Sequence, residues 1–463
     1  MKKVIGIAIF MLVSLSLCVC AEAYADVAIN EANFQDGAFR DYVKRFDKDG
    51  SGVLTSEELN MVTEISLEGE DYSSVQGIEF FTALQKLTFI YTNVNNPDLS
   101  KNKLLQELDC HYNYNLYTLN LSSNTALKSL RCDGNHLGAL DLRKNTALET
   151  LKCDTMNSQD FAPDLSGCRA LKTLDISNAF QRSLDLRPNR ELVSVDCDGN
   201  MMENLRVDGL TSLETLHCEQ NNLGTLDVSG LYNLKELNCY GCSLTSLNLD
   251  GCSAMDNLSC SGNELTNLDV SHCDFLTVLD ISMNQLKEID LSACFILKGL
   301  ECWNNNIKEL DITWCPNLED AYLKGTKDEF MRNMYRYSYN GSWLTINDGQ
   351  KVKTSDNIEL GATVRKSKKK ATKITAKNKS FKAKTKTKKY TVTLKNGKKA
   401  VKGVKLTLKV KGRTYKAKTN KKGKATFKIR NLRKKGKYTA SIRFAGNKTY
   451  KKSTKKIRIT VKK

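Results

Sequence analysis

The chain has 463 residues, of which 40% are hydrophobic, enough for two or three domains with packed cores; a wholly disordered chain is excluded. Its formal charge of +19 hides a division. From residue 362 onward there are 41 Lys or Arg and no Asp or Glu, while residues 1–361 hold 30 basic and 52 acidic residues, a net of −22. An acidic body carries a strongly basic tail, so the net charge describes neither part.

The chain opens with Lys2 and Lys3, an apolar run from Val4 to Val19 and the small-residue site Ala23-Tyr24-Ala25. This pattern is a secretory leader, with the mature protein expected to begin near Asp26. Leu17-Cys18-Val19-Cys20 fits a lipid-attachment signal poorly. No later stretch is long and apolar enough to span a bilayer.

Residues 26–83 come next, with helical spacing at Phe39, Tyr42, Val43 and Phe46. The run D-K-D-G-S-G-V-L-T-S-E-E follows. Asp47, Asp49 and Ser51 take loop positions 1, 3 and 5, Gly52 the sharp turn, Val53 a carbonyl ligand position, Thr55 a direct or water-mediated one and Glu58 the bidentate end. This resembles an EF-hand loop and predicts one Ca2+ site; the competing reading is an Asp/Gly-rich turn in a cap that never fills with metal. A stabilising cap is expected rather than a sensor. Together with V-T-E-I and G-I-E-F-F-T-A-L, the segment resembles the N-terminal module of secreted repeat proteins of gut bacteria.

From residue 84 to 325 the pattern L-x-x-L-x-C-x-x-N-x-L-x-x-L-D-L returns every 21 to 23 residues, with starts at 84, 105, 127, 148, 171, 192, 213, 234, 255, 276, 297 and 318. A fixed period of this size predicts a solenoid whose single turns cannot bury their own apolar face. Two leucines and the cysteine of each turn are expected to point inward. Asn113, Asn135, Asn200, Asn221, Asn263, Asn284 and Asn305 stand where an amide can satisfy backbone groups of neighbouring turns. The cysteines form two columns in which Ile, Leu or Asn also occur, so they are expected to be mostly free, small hydrophobic residues rather than disulfides or metal ligands. Asp141, Asp185, Asp227, Asp269, Asp290 and Asp311 recur in the second half of the repeat, where bonding to turn amides is the preferred account.

This pattern resembles the bacterial leucine-rich repeat, departing from it around Met156–Phe161 and Ser177–Arg182. The resemblance implies a curved solenoid with a parallel sheet on its concave face and partner binding there. Asp109, Asp175, Asp196, Asp280 and Glu301 are expected in one outward column, and Asp133, Asp154, Asp198 and Glu219 in the next. Tyr240, Trp303 and Tyr322 add aromatic area. Of these, Asp175, Asp196, Glu219, Tyr240, Asp280, Glu301, Trp303 and Tyr322 are the candidate partner-binding residues, for a basic protein segment or a sugar ring. Against this stands a solvated charged face, with Trp303 and Tyr322 packed under the end cap.

Residues 326–370 lose the period and end in a basic stretch, a cap and linker. Residues 371–463 alternate apolar and polar residues in short runs, with Asn396-Gly397 and Lys422-Gly423 placed as hairpin turns, giving about seven strands of a β-sandwich. The segment resembles the immunoglobulin-like modules of microbial adhesin-like surface proteins. Nucleic acid is not expected as its partner, because no stacking aromatic cluster or nucleic-acid motif accompanies the charge; anionic cell-wall polymers or lipid surfaces are the nearer polyanions. The expected fold is thus multidomain: an EF-hand-like cap, a leucine-rich-repeat solenoid and an immunoglobulin-like sandwich. The expected protein is secreted, retained at the cell surface and non-enzymatic, a binding or adhesion protein or, alternatively, a structural envelope protein with no specific ligand. His111, His136, His217 and His272 fall at unrelated slots, and no motif places a catalytic pair.

Overall fold

The computed structural model describes residues 26–159, 161–331, 334–355, 370–430, 432–447 and 450–463. The expected leader lies outside them, as does the basic linker up to residue 369. Two compact units are present: residues up to Gly224 with Asn238–Cys242, and Thr225–Leu237 with Ser243–Lys463.

The first unit begins with a helix–loop–helix. Helix α1 (Gly37–Val43) starts where the Asp36 carboxylate accepts the Phe39 N–H at 2.8 Å, and the other Asp36 oxygen accepts Ser73 N–H at 2.9 Å. Helix α2 (Ser56–Met61) is opened by a capping box between Thr55 and Glu58. Phe34, Phe39, Leu54 and Phe81 are buried between the helices and the following chain.

Parallel strands then come one per turn. Glu64–Glu68, Lys86–Ile90, Glu107–Asp109, Ser129–Arg131, Thr150–Lys152, Thr173–Asp175, Ser194–Asp196 and Thr215–His217 pair in register. The central residue of each repeat strand points inward because strand side chains alternate; Leu130, Leu151, Val195 and Leu216 are fully buried. The residues on either side point out.

Two side-chain ladders tie the turns together. The amides of Asn113, Asn135, Asn200, Asn221, Asn284 and Asn305 each donate to a carbonyl of their own turn and of the turn before. Asn135 Nδ2 reaches Cys132 O at 2.7 Å and Cys110 O at 2.9 Å, while its Oδ1 accepts Asn113 N–H at 2.8 Å. A second ladder runs through Asn102, Asn124, Asn145 and Asn189, which donate to carbonyls one turn back, as Asn124 does to Leu99 O at 3.0 Å and Asn102 O at 2.9 Å. Cysteines alternate with asparagine in this second column. Cys168, Cys252 and Cys315 there donate through sulfur to Leu142 O, Val228 O and Cys294 O at 3.5, 3.2 and 3.2 Å. All 14 cysteines from Cys110 to Cys315 are free and buried. The reading of these thiols as hydrophobic filler is therefore incomplete, since those of the second column also supply hydrogen bonds.

In the second unit the strands Asn257–Ser259, Val278–Asp280 and Gly299–Glu301 continue the same parallel pattern. The expected repeat start at Leu318 is not a strand. Pro316 opens helix α3 (Pro316–Lys324) instead, with Leu318 and Ala321 buried, because proline at the first helical position has no N–H to lose. Nor does the cap stop the sheet: Ser342–Asn347 pairs in parallel with Gly299–Glu301, then antiparallel with Met334–Tyr339, which pairs with Thr326–Met331.

Residues 370–463 form two sheets around one cluster of buried side chains that includes Tyr390, Leu394, Leu408, Phe427, Ile442 and Ile459. There are nine strands among the described residues rather than about seven. Asn396-Gly397 makes the expected hairpin between Thr387–Asn396 and Lys399–Ala400. Lys422-Gly423 does not: Arg413–Lys418 pairs with Lys405–Val410, while Lys424–Arg430 pairs with Thr387–Asn396, so this turn carries the chain from one sheet to the other. In Lys424–Arg430 the lysines alternate outward with buried Ala425, Phe427 and Ile429. Lys409 Nζ lies 4.3 Å from the Phe275 ring centre, and Lys452 Nζ 3.7 Å from that of Phe295; both rings belong to turns that precede a repeat start.

Candidate functional site

The outward face of the parallel strands carries the candidate residues other than Tyr322 in the two expected columns, and register decides which of them meet. In the first unit Asp175 stands beside Asp196, and Asp196 beside His217. Two residues further on in each turn, Asp198 and Glu219 form the next column. The Asp198 N–H donates to Asp196 Oδ1 at 3.2 Å, and the Glu219 N–H to Asp198 Oδ1 at 2.6 Å. Asn238 Nδ2 donates to Glu219 Oε2, and Tyr240, 37% exposed, follows in the same column. Asp175, Asp196, Glu219 and Tyr240 thus form one patch.

The electrostatics of this patch are unfavourable to its own charges. Burial first, then the neighbouring Asp196 carboxylate, pushes the Asp198 carboxyl up to about 7. Asp196 is raised as well, by burial and then by Asp175. Toward the N-terminal turns the column is less acidic than the repeated Asp suggests, because Arg131 and Lys152 occupy it. Arg131 Nε sits 2.8 Å from Asp133, and Lys152 Nζ 3.4 Å from Asp154 and 3.2 Å from Asp175. Beyond them, Asp109 Oδ1 lies 2.5 Å from His111 Nδ1, next to the stacked rings of Tyr91 and Tyr112, with centres 5.2 Å apart.

In the second unit Asp280 stands in register with Glu301. Burial, and then Asp280, raises the Glu301 carboxyl, with Arg336 opposing. Trp303 is half-buried in the next column. Tyr322 is not on this face: it lies on α3, its ring centre 4.8 Å from that of Tyr337, which is the packed position under the end cap.

The half-repeat aspartates bond to turn amides as expected. Asp185, Asp227, Asp269, Asp290 and Asp311 accept the N–H two residues on at 2.8–3.1 Å. Asp141 and Asp185 also pair with Arg143 and Arg187, which holds both carboxyls down at about 2.

The loop between α1 and α2 gathers its own donors. Ser51 N–H donates to Asp47 Oδ1 and Asp49 Oδ1 at 3.0 and 2.9 Å, and Gly52 N–H to Asp47 Oδ2 at 2.8 Å. Gly50 and Gly52 take φ of 69° and 78°, where a side chain is strained. One carboxylate oxygen each of Asp47, Asp49 and Glu58 lies within 4.8 Å of the others. Ser51 Oγ lies 3.1 Å from Val53 O, and Thr55 Oγ1 2.9 Å from Glu58 Oε2. An all-oxygen set of this kind fits a calcium ion.

Sequence reasoning missed the part of His217. The four histidines fall at slots unrelated to one another, yet His217 precedes Cys218 as Asp196 precedes Cys197, and this shared position is the available signal.

No protein-family model and no curated protein matches the chain. Among solved structures it is similar to the functional domain of InlJ from Listeria monocytogenes, which includes a cysteine ladder, at 19% identity and a TM-score of 0.45, covering 96% of this chain and 100% of that one. It is also similar to an internalin, InlF, from the same organism, at 20% identity and a TM-score of 0.47, covering 62% of this chain and 91% of that one. Listeria monocytogenes InlP matches at 14% identity and a TM-score of 0.32 over 95% and 99% of the two chains. Among the described residues no helix is long and apolar enough to cross a membrane.

Proposed function

We propose that this is a non-enzymatic binding protein of the cell surface, which presents the outward face of its repeat sheet to a protein or glycan partner. The observation that carries this reading is the crowding of Asp175, Asp196, Asp198 and Glu219 around His217 beside exposed Tyr240. Carboxylates placed this close repel one another, and a cationic group of a partner relieves that repulsion. Asp280, Glu301 and Trp303 offer a second patch of the same chemistry.

Two further assignments belong to this proposal. The Asp47–Glu58 loop is an EF-hand-like calcium site that stiffens the N-terminal cap, with Asp47, Asp49, Ser51, Val53, Thr55 and Glu58 as ligands. The C-terminal segment is an immunoglobulin-like module, a reading supported by its two sheets around one core; its unopposed lysines contact anionic wall polymers and hold the secreted protein at the surface. The test of recognition is an array of glycans and extracellular proteins probed with the full chain and with D196N/E219Q. Binding that the double variant loses supports the proposal, and an array with no signal above background sinks it. Retention is tested by washing intact cells with rising salt; a protein that stays bound at high salt is not held electrostatically.

A further inference from the structure

The patch on the first unit holds more than an acidic surface. Asp196, Asp198 and His217 each offer one ligand atom, and these three atoms lie within 4.8 Å of one another. The three come from two adjacent turns of the sheet: the register sets Asp196 directly beside His217, and Asp198 two residues further along the Asp196 chain. All three are half-buried, so they are held rather than waving in solvent.

Backbone bonds fix the carboxylates. Asp196 Oδ1 takes the Asp198 N–H at 3.2 Å and Asp198 Oδ1 the Glu219 N–H at 2.6 Å, which orients each group while leaving it a second oxygen. Lys152, two turns back, is engaged with Asp175 at 3.2 Å and with Asp154 at 3.4 Å, and Lys172, one turn back, with Glu149 at 2.6 Å. Four carboxylates therefore converge where one imidazole is the central basic group. A divalent cation resolves that imbalance.

From this geometry we infer that Asp196, Asp198 and His217 form a binding site for a divalent transition-metal ion of the zinc class. The imidazole decides the class: calcium and magnesium prefer all-oxygen sets, whereas zinc takes imidazole nitrogen and carboxylate oxygen together at about 2.0–2.2 Å. Closing the set around such an ion requires side-chain movements of roughly 1 Å. Three protein ligands leave a coordination position open to a donor atom from outside the chain. The inference does not depend on what partner the face binds.

The experiment uses the full chain with its thiols kept reduced, titrated with zinc chloride by calorimetry, with bound metal counted after dialysis. Wild type is expected to bind one zinc equivalent that D198N and H217Q lose or bind at least tenfold more weakly, while H272Q retains it. Cobalt in place of zinc is expected to give ligand-field bands of a nitrogen–oxygen site. Equal zinc binding in wild type, D198N and H217Q overturns the assignment, as does a cobalt spectrum made up of thiolate charge transfer, which would place the metal on cysteines. Folding of the variants is checked without metal, where D198N is expected to melt no lower than wild type because it removes a crowded charge. A lower melting temperature would make the carboxylate a structural element and overturn the metal assignment.

Discussion

The thiol of Cys242 donates to the carbonyl oxygen of Cys218 at 2.9 Å, where most turns use an asparagine amide. The same carbonyl accepts Asn221 Nδ2 at 2.9 Å, just as Cys197 O accepts both Asn200 and Asn221 at 3.0 Å. The carbonyls of Cys110, Cys197, Cys218, Cys260 and Ile281 are thus each satisfied from their own turn and from the next. Cysteine at position 242 keeps the ladder intact because sulfur can still donate, though more weakly than an amide.

Changing this residue should therefore separate packing from hydrogen bonding. Cys242→Ala is expected to cost about 1–2 kcal/mol, from the lost donor and the small void. Cys242→Asn, which restores the amide of the other turns, is expected to lie within about 1 kcal/mol of wild type. Asn135→Ala removes three buried bonds and should cost about 3 kcal/mol or more. Denaturant unfolding of the three variants measures the order; Cys242→Asn less stable than Cys242→Ala would refute the ladder account.

Apart from Cys242, whose thiol is lowered by its hydrogen bond with Cys218, the thiols are expected to be reduced and unreactive in the folded protein. Burial pushes Cys168, Cys252, Cys302 and Cys315 up to about 12 and raises Cys110, Cys132 and Cys153 well above the ordinary range. The thiolate is the reactive form, so a thiol reagent should label almost none of the 14 at neutral pH. All 14 should titrate once the chain is unfolded. A shortfall after unfolding without reductant would reveal disulfides.

Stability should fall as pH rises through the window set by Asp198. Its folded carboxyl is raised to about 7, above an unfolded value of about 3.9, so between these values the folded state holds more protons than the unfolded one. The stabilisation is fully present below about 3.9 and is lost as pH rises through about 7. Asp141 and Asp185 run the other way: held down at about 2, they add stability above about 3.9 that disappears as pH drops toward 2. Melting curves from pH 4 to 8 should show a decline in wild type that is smaller in Asp198→Asn. Parallel curves for the two proteins would remove Asp198 as the cause.

Calcium at millimolar concentration should raise the melting temperature of the full chain, because a ligand that binds only the folded state stabilises it. Glu58→Gln is expected to lose the shift, since Glu58 supplies the bidentate position of the loop. An equal shift in both proteins would place the calcium elsewhere.

Much of this was legible without coordinates. The period of 21 to 23 residues, the inward leucines and the asparagine column all follow from what one turn can bury and which backbone groups it must satisfy. The turn-bonding role of Asp185 and Asp227 was legible for the same reason, because short polar side chains capture amides two residues away. Two errors have local causes. Leu318 fits the leucine slot, but Pro316 starts a helix there. Lys422-Gly423 has the composition of a hairpin turn, yet nothing in a dipeptide says whether its flanking strands pair with each other or with strands of two sheets.

What the sequence by itself determined is the one-dimensional repeat: which residues face inward, which face outward and which tie one turn to the next. These are matters of periodicity, and a solenoid turn contacts chiefly its neighbours. Only the tertiary structure decided what meets across the turns. Register set His217 beside Asp196 and brought Lys152 to Asp175, while α3 carried Tyr322 away from the sheet to Tyr337. Charge balance and metal-ligand geometry depend on distances between residues some 20 apart in the chain, and those distances arise only when the turns stack.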